Sequence, residues 1–476
     1  MNQTTTIQPK IEVLSQENIK RIHEDSLRIL SQTGVRVESE RALGLLAKRK
    51  GVNVSGDRVT FDGEIVEWAV QSAPSHFAVF DRLGEPAFQF GDDRTRFGIG
   101  CTTLQYQDPV SGKTVPFARK HMGEMARLGQ ALSNYDTVAT IGIIQDIHPG
   151  IADLYATLEM LANTTKPLVI LVSDDDLFLP TLEMLEHLTG DLGEKPFIIP
   201  YVNPITPLVI NQGTIDKMFA SIEYGLPFIY NSFGLSGITT PMTPAGVLVL
   251  LIAEQLAGLT LTQIIKEGAA VSLGILPSYI DMHSMVNFYD PISHVLNLAA
   301  AEMLAHYGIP YSGMGGGSPG WGPDFMTAAT YWMNHLPALI GKVDFVSFVG
   351  DTMTAKVFSP VNVVLGHEVI AKALKFFKGF KLDEENIGMD DILTLGPGGH
   401  FLSSPVTRKH VRTAYYKSPI YPNISFEEWS KLGQPDAVVM LKEYTRDLLD
   451  GLTPPDDQGD LVAKGEEFIK NLKMER

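Results

Sequence analysis

The stretch GMGGGSPGWGPD, residues 313–324, holds six glycines and one large aromatic side chain, Trp321. Glycine loses the most backbone entropy on ordering, so such a run is disfavoured unless the chain bends sharply or a partner comes close. Three chemistries fit it. Backbone N–H groups ahead of a helix would cradle a phosphate, although Asp324 already fills that anionic place as a helix N-cap. Glycines would also hinge a lid, or clear space for a bulky partner against Trp321. With Tyr201, Tyr230, Tyr279, Tyr311, Phe325 and Tyr331, Trp321 would complete an aromatic cage for a quaternary ammonium, at about 0.5–2 kcal/mol per ring. Phe325 and Tyr331, at helical spacing after Asp324, equally fit a helix core. His400 follows Gly398 and Gly399, where an imidazole would donate a hydrogen bond or move a proton near neutral pH, or else anchor a loop.

Other motifs are absent from the sequence. There is no HExxH and no GxxxxGK[ST], and His148, His283, His294 and His367 are scattered, so no metal site is expected. GGSPG (316–320) matches GxSxG, but Pro319 lacks the N–H that a nucleophile elbow offers.

These residues need a scaffold. From residue 137 short β-rich runs alternate with helical ones: 137–145, 166–172, 195–203, 227–234, 269–276, 310–317, 344–351 and 390–397 read as eight strands. The intervening helices are predicted over 151–163, 212–224, 244–267, 292–307, 324–340 and 360–377. Near-continuous apolar strands imply burial on both faces, hence an α/β fold: a (β/α)8 TIM barrel, with a doubly wound sheet as the alternative. Ligands then meet the strand ends, which supply Gln145 and Asp146, Tyr201 and Asn203, Tyr230 and Asn231, Tyr279, Asp351 and His400. The N-terminal α+β segment, 1–130, opens with a helix capped by Ser15 and stopped at Gly34. The barrel spans 131–402, and a C-terminal helical extension, 403–476, holds helices near 436–449 and 464–474.

Composition narrows the partners. The 476 residues carry 38 basic and 55 acidic side chains, net −17, which disfavours nucleic acid and membrane surfaces. Cys101 is the only cysteine, so no intrachain disulfide forms, and a reducing cytoplasm is expected. The N-terminus lacks a signal-peptide pattern. The longest apolar run, 245–253, stops at Glu254.

Four ordered blocks, IHEDSLRILSQTGVRVESERAL (22–43), QSAPSHFAVFDR (71–82), TPAGVLVLLIAEQLAGLTLTQI (243–264) and GPGGHFLSSPVTRKH (396–410), resemble the trimethylamine methyltransferase family of corrinoid-dependent enzymes. The resemblance implies a barrel that passes a methyl group from a methylamine to Co(I) of a separate corrinoid protein docked at its mouth. Founding members carry pyrrolysine after the sixth strand, a place that falls near Trp321 when aligned on Asp324. Neither pyrrolysine nor lysine stands between Lys266 and Lys342, so the imine that engages a free amine is missing. A quaternary ammonium already leaves as a neutral amine and needs no such activation. The resemblance therefore implies a betaine, such as glycine betaine, as methyl donor. It further implies a cage from Trp321, Tyr201, Tyr230, Tyr279 and Phe325, with carboxylate donors among His400, Asn203, Asn231 and Gln145. Gly315, Gly316, Gly317 and Ser318 would face the corrin. Cobalamin would belong to the partner, with no cofactor tightly bound here, and a homo-oligomer is expected. Another methylated amine or methoxy donor, or a non-catalytic betaine-binding role, are the alternatives.

Overall fold

The computed structural model describes residues 5–472. Eight strands run parallel: β1 (Arg96–Ile99), β2 (Thr137–Ala139), β3 (Leu168–Ile170), β4 (Ile198–Val202), β5 (Phe228–Ser236), β6 (Val271–Ile280), β7 (Ser312–Gly313) and β8 (Phe345–Val349). Their order across the sheet is β6-β5-β4-β3-β2-β1-β8-β7, with Asn287–Phe288 added antiparallel beyond β6. The sheet curls until its ends meet: Leu273 of β6 bridges Tyr311 in parallel, and its N–H donates to Pro310 O at 3.0 Å.

One helix follows each strand: α1 (Arg119–Ala131), α2 (Pro149–Asn163), α3 (Phe178–Thr189), α4 (Gln212–Glu223), α5 (Pro244–Ile265), α6 (Pro291–Tyr307), α7 (Phe325–Ile340) and α8 (Pro360–Phe377). Prolines at the first turns of α2, α5, α6 and α8 have no N–H to leave unsatisfied there. Helix α5 is long and apolar enough to cross a membrane, yet 78% of its apolar window is buried inside the protein. Its Glu254 is held there by the Thr206 hydroxyl and the Leu208 N–H.

Side chains alternate along each strand. Outward residues such as Val138, Leu168, Ile198 and Phe228 join the main core under the helices, whereas Ala139, Val169, Ile199, Ile229 and Phe345 pack together inside the ring. The hairpin of Phe77–Phe80 and Pro86–Phe90 brings Val79 and Phe90 onto that inner layer and plugs it.

Two strand expectations are corrected. Residues 390–397 do not form a strand: Met389–Leu395 is a helix, with Asp390 and Asp391 in its first turn and a stop at Gly396, φ 63°. Acids at the start and a left-handed glycine at the end are helix-terminus chemistry. The missing strand is β1, in RFGIGC, which the sequence placed in the N-terminal segment. Its glycines weaken the strand signal, but a Cβ at Gly98 would lie 2.3 Å from Thr137 Oγ1, and one at Gly100 2.7 Å from Ala139 Cβ. They allow β1 to pack against β2. The ring therefore begins before residue 131 and its last strand ends at Val349.

Helices 151–163, 212–224, 244–267, 292–307, 324–340 and 360–377 stand within one or two residues of expectation; α1 and α3 went unpredicted. Ser15 caps Gln16–Gln32 as expected, in a capping box with Asn18. In the C-terminal region, α9 (Glu384–Ile387), α10 (Met389–Leu395), α11 (Pro405–His410) and α12 (Phe426–Lys431) precede α13 (Ala437–Asp450) and α14 (Gln458–Asn471). Residues 473 and 474 of the predicted last helix lie outside the described residues.

Candidate active site

Above the apolar inner layer the ring changes character. Alternation along β4 and β5 puts Tyr201 two residues above Ile199 and Asn231 two above Ile229, and Cys101, Leu171 and Phe348 join them. The Asn231 Nδ2 donates to Ser312 O at 3.1 Å. Its amide has room because position 274 is glycine: a Cβ there would meet Asn231 Nδ2 at 2.2 Å. Phe348 reaches the interior through an irregularity in β8, where the register shifts between Val346 and Val349 and Phe348 takes φ 70°. Left-handed backbone at a bulky residue costs on the order of 1–3 kcal/mol and gathers at functional sites. Here it sets the Phe348 ring edge-on to Tyr201, centroids 5.1 Å apart at 70°.

Asp351 follows β8 in a short strand, Asp351–Thr352, of a four-stranded sheet that also holds Gln105–Gln107. Its side chain is fully buried. Oδ2 accepts from Ala355 N–H at 2.6 Å, while Oδ1 has no partner. Burial pushes this carboxyl well above the ordinary range. Gly317 separates it from Tyr289: a Cβ there would sit 3.4 Å from the Tyr289 ring and 3.5 Å from both Asp351 oxygens. The Tyr201 hydroxyl and Asn231 Oδ1 are likewise buried without partners. Burial raises the Tyr201 phenol and the Cys101 thiol, keeping both protonated at neutral pH. Tyr201 stands edge-on to Phe348, and Tyr289 lies across Gly317 from the buried Asp351 carboxyl; aromatic faces attract an organic cation, whose charge in turn favours an ionised carboxyl.

The predicted residues divide in this frame. Tyr201 and Asn231 face the interior. Tyr230 does not: it points outward on β5 against α5, where a Cβ at Gly258 would strike its ring at 2.3 Å. Gly315 and Gly316 are buried against β8, where added Cβ atoms would meet Ser347 O at 2.2 Å and Val349 Cγ2 at 2.7 Å; only Gly317 is partly open. Ser318 is buried and donates to Thr327 Oγ1 at 2.8 Å. The close partner of Gly315 and Gly316 is the chain's own strand, which corrects their expected orientation toward a corrin, whereas Gly317 faces Tyr289 and Asp351. His400 is corrected too: it lies exposed after α10, not at a strand end of the ring.

Trp321, on the β7–α7 connection, and Phe325, the first residue of α7, are 76% and 95% exposed, so they stand on the rim and wall in nothing. Gln107 Nε2 and Asp324 Oδ2 fix the Trp321 backbone. Tyr279 is partly buried near the end of β6, where it pairs with Phe288. Gln145 and Asn203 are exposed, and their amides donate to Leu104 O and Asn231 O.

Sequence reasoning missed Cys101, Tyr289 and Phe348 as site residues. Phe348 turns inward only through the β8 irregularity, and Tyr289 returns from beyond the β6 ribbon; neither leaves a periodic signal. Asp351 was visible as a strand end, without a role.

A model of the family described as trimethylamine methyltransferase (MTTB) matches residues 1–476. The chain is 28% identical to a glycine betaine methyltransferase of Desulfitobacterium hafniense strain Y51, over 89% of each chain. It is 26% identical to the trimethylamine methyltransferase MttB of D. hafniense strain DSM 10664 / DCB-2, over 92% of this chain and 90% of that one. The solved monomethylamine methyltransferase (MtmB) of Methanosarcina barkeri shares the fold at TM-score 0.50 and 10% identity, covering 92% of this chain and 88% of that one. The match along the whole length makes this chain a member of the trimethylamine methyltransferase family.

Proposed function

We propose that the ring is a (β/α)8 barrel that transfers a methyl group from a quaternary ammonium, a betaine such as glycine betaine, to the Co(I) of a separate corrinoid protein. The observation that carries this reading is the buried Asp351 carboxyl, with Oδ1 unpartnered, across Gly317 from Tyr289, together with the inward Tyr201–Phe348 pair. A trimethylammonium group placed there gains cation–π attraction from the rings, and its charge favours the ionised form of Asp351, which then answers it. The absence of lysine between Lys266 and Lys342 and the glycine betaine methyltransferase relative support a donor that needs no imine.

The residues of this chain bind and orient. The rings hold two methyl groups and turn the third outward, and the apolar layer of Ala139, Val169, Ile199 and Ile229 beneath excludes water. The rim suits a flat macrocycle: Trp321, Met282, Met285 and Met353, on connections after strands, and Phe325 at the start of α7 are exposed. The docked partner's reduced cobalt would supply the nucleophile for the outward methyl carbon, and the C–N electron pair would leave with the amine, which is then neutral.

A carboxylate-free quaternary ammonium is the second reading. Among the described residues no lysine or arginine is counted in the buried core, so a substrate carboxylate would meet neutral donors such as the Tyr201 hydroxyl rather than a cation. The test is a panel of glycine betaine, choline, tetramethylammonium and trimethylamine with reduced corrinoid protein, following the cobalt absorbance. Turnover of betaine sustains the first reading and choline alone the second. Trimethylamine alone, or tight betaine binding without methyl transfer, defeats both.

A further inference from the structure

Two neighbouring strands, β1 and β8, break their alternation where they leave the sheet. Ile99 and Val346 join the core under the helices, and counting on by two from each sends Cys101 and Phe348 outward as well. Both instead pack inside the ring. The backbone is bent to bring them in: Gly100 has φ 142°, Thr102 φ 50° and Phe348 φ 70°. The N–H groups of Cys101 and Thr102 both donate to Thr140 O, just past β2, at 3.2 and 2.9 Å, and brace the bend. Left-handed backbone is disfavoured at a β-branched or bulky residue and gathers at functional sites.

The bend sets Cys101 among polar groups that lack partners. The Tyr201 hydroxyl, Asn231 Oδ1 and Asp351 Oδ1 are all unpartnered, on residues 5% exposed or less. Cys101 packs in the same inner layer as Tyr201. Burial and then the Asp351 charge raise its thiol, and burial, then Cys101 and Asp351, raise the Tyr289 phenol. Buried polar groups left open in this way call for a ligand or an ordered water. The thiol itself is partly exposed, so the place is reached from outside.

Cysteine suits contact with methyl groups that carry a spread positive charge. A protonated thiol adds no second charge beside Asp351, and its sulfur packs as a small, polarisable apolar group, where a hydroxyl would hold water. We propose that Cys101 is a substrate-contacting residue that fixes the size of the quaternary ammonium admitted beside Asp351. The proposal rests on the donor class proposed above.

Because Cys101 is the only cysteine, labelling of the full chain reads this site alone. The probes are trimethylammonioethyl methanethiosulfonate and its anionic sulfonatoethyl counterpart. In each case the thiol loses its proton, its sulfur forms a disulfide with the reagent, and methanesulfinate leaves. Relative to their rates with a free small thiol, the cationic reagent should react about tenfold faster or more, and saturating tetramethylammonium should slow it by a similar factor. In Asp351→Asn the charge preference should shrink. Cys101→Leu should raise the dissociation constant of tetramethylammonium about tenfold or more, and Cys101→Ala should shift preference toward tetraethylammonium by a similar factor. Should the leucine variant fail to fold, labelling and the alanine variant decide. A thiol that reacts only after unfolding, labelling that tetramethylammonium does not slow, or an unchanged preference in Cys101→Ala would overturn the proposal. Protection without turnover of any quaternary ammonium sustains it and defeats the donor reading; turnover without protection does the reverse.

Discussion

Asp351 is held where a carboxylate is costly: buried, with one oxygen unpartnered, a penalty of several kcal/mol for an ion without a counter-charge. Asp351→Asn keeps the shape and removes the charge. It should leave the unfolding temperature unchanged or raise it by a few degrees, while raising KM for the quaternary ammonium at least tenfold, about 1.4 kcal/mol, with kcat much less affected. Calorimetric binding and thermal unfolding read the two effects separately; a loss of stability with unchanged binding would make Asp351 a structural residue. The pH dependence follows from the direction of its shift. A pKa raised by folding gives stability that is full below the unfolded value and lost as pH rises through the folded one. The substrate-free protein should therefore lose stability as Asp351 ionises, whereas affinity for the cation should grow over the same range. In Asp351→Asn both slopes should flatten.

At the scale of elements, the glycine connection after β7 separates packing from function. Gly315→Ala drives a Cβ to 2.2 Å from a backbone oxygen of β8, so it should lower stability by about 1–3 kcal/mol, the usual cost of overpacking. Gly317→Ala meets only ordinary contacts at 3.4–3.5 Å. It should fold normally yet raise the substrate KM, since the new methyl enters the gap between Tyr289 and Asp351. Equal unfolding temperatures for the two variants would contradict this division. At the opposite end of the ring Asp344 accepts the Tyr311 N–H at 2.8 Å, and burial, with Asp93 and Asp92 nearby, pushes it up to about 6. Its stabilising contribution is complete below its unfolded value and lost as pH rises through about 6. A pH series of urea midpoints on wild type and Asp344→Asn should show the wild-type decline over that range flattened in the variant. Seven of the eight ring strands were legible in the sequence because both their faces are buried. β1 escaped because the glycines that let it pack beside β2 remove its apolar signature, and residues 390–397 misled because the run of four apolar or β-branched residues, Ile392 to Leu395, looks the same in a short helix.

Over the whole molecule the aromatic residues that the sequence sets at strand ends scatter. The expected cage drew on them, and of the five assigned to it only Tyr201 faces the interior; strand alternation turned Tyr230 outward, and Trp321 and Phe325 stand on the rim. Their exposure suits the proposed docking of the partner instead. With Met282, Met285 and Met353 they make the C-terminal face of the ring apolar, in a protein whose net charge of −17 otherwise favours water. Met and aromatic side chains of this kind are enriched at interface cores, where a few large residues dominate affinity. Trp321→Ala/Phe325→Ala should therefore raise KM for the corrinoid protein at least tenfold, while the dissociation constant for glycine betaine, measured by calorimetry without the partner, stays within about twofold. If Trp321 instead closes over the substrate when the partner docks, the single variant Trp321→Ala raises the betaine KM in the complete reaction at saturating corrinoid protein. The two readings separate on which KM moves, because a rim residue that touches only the partner cannot change substrate affinity once the partner is saturating.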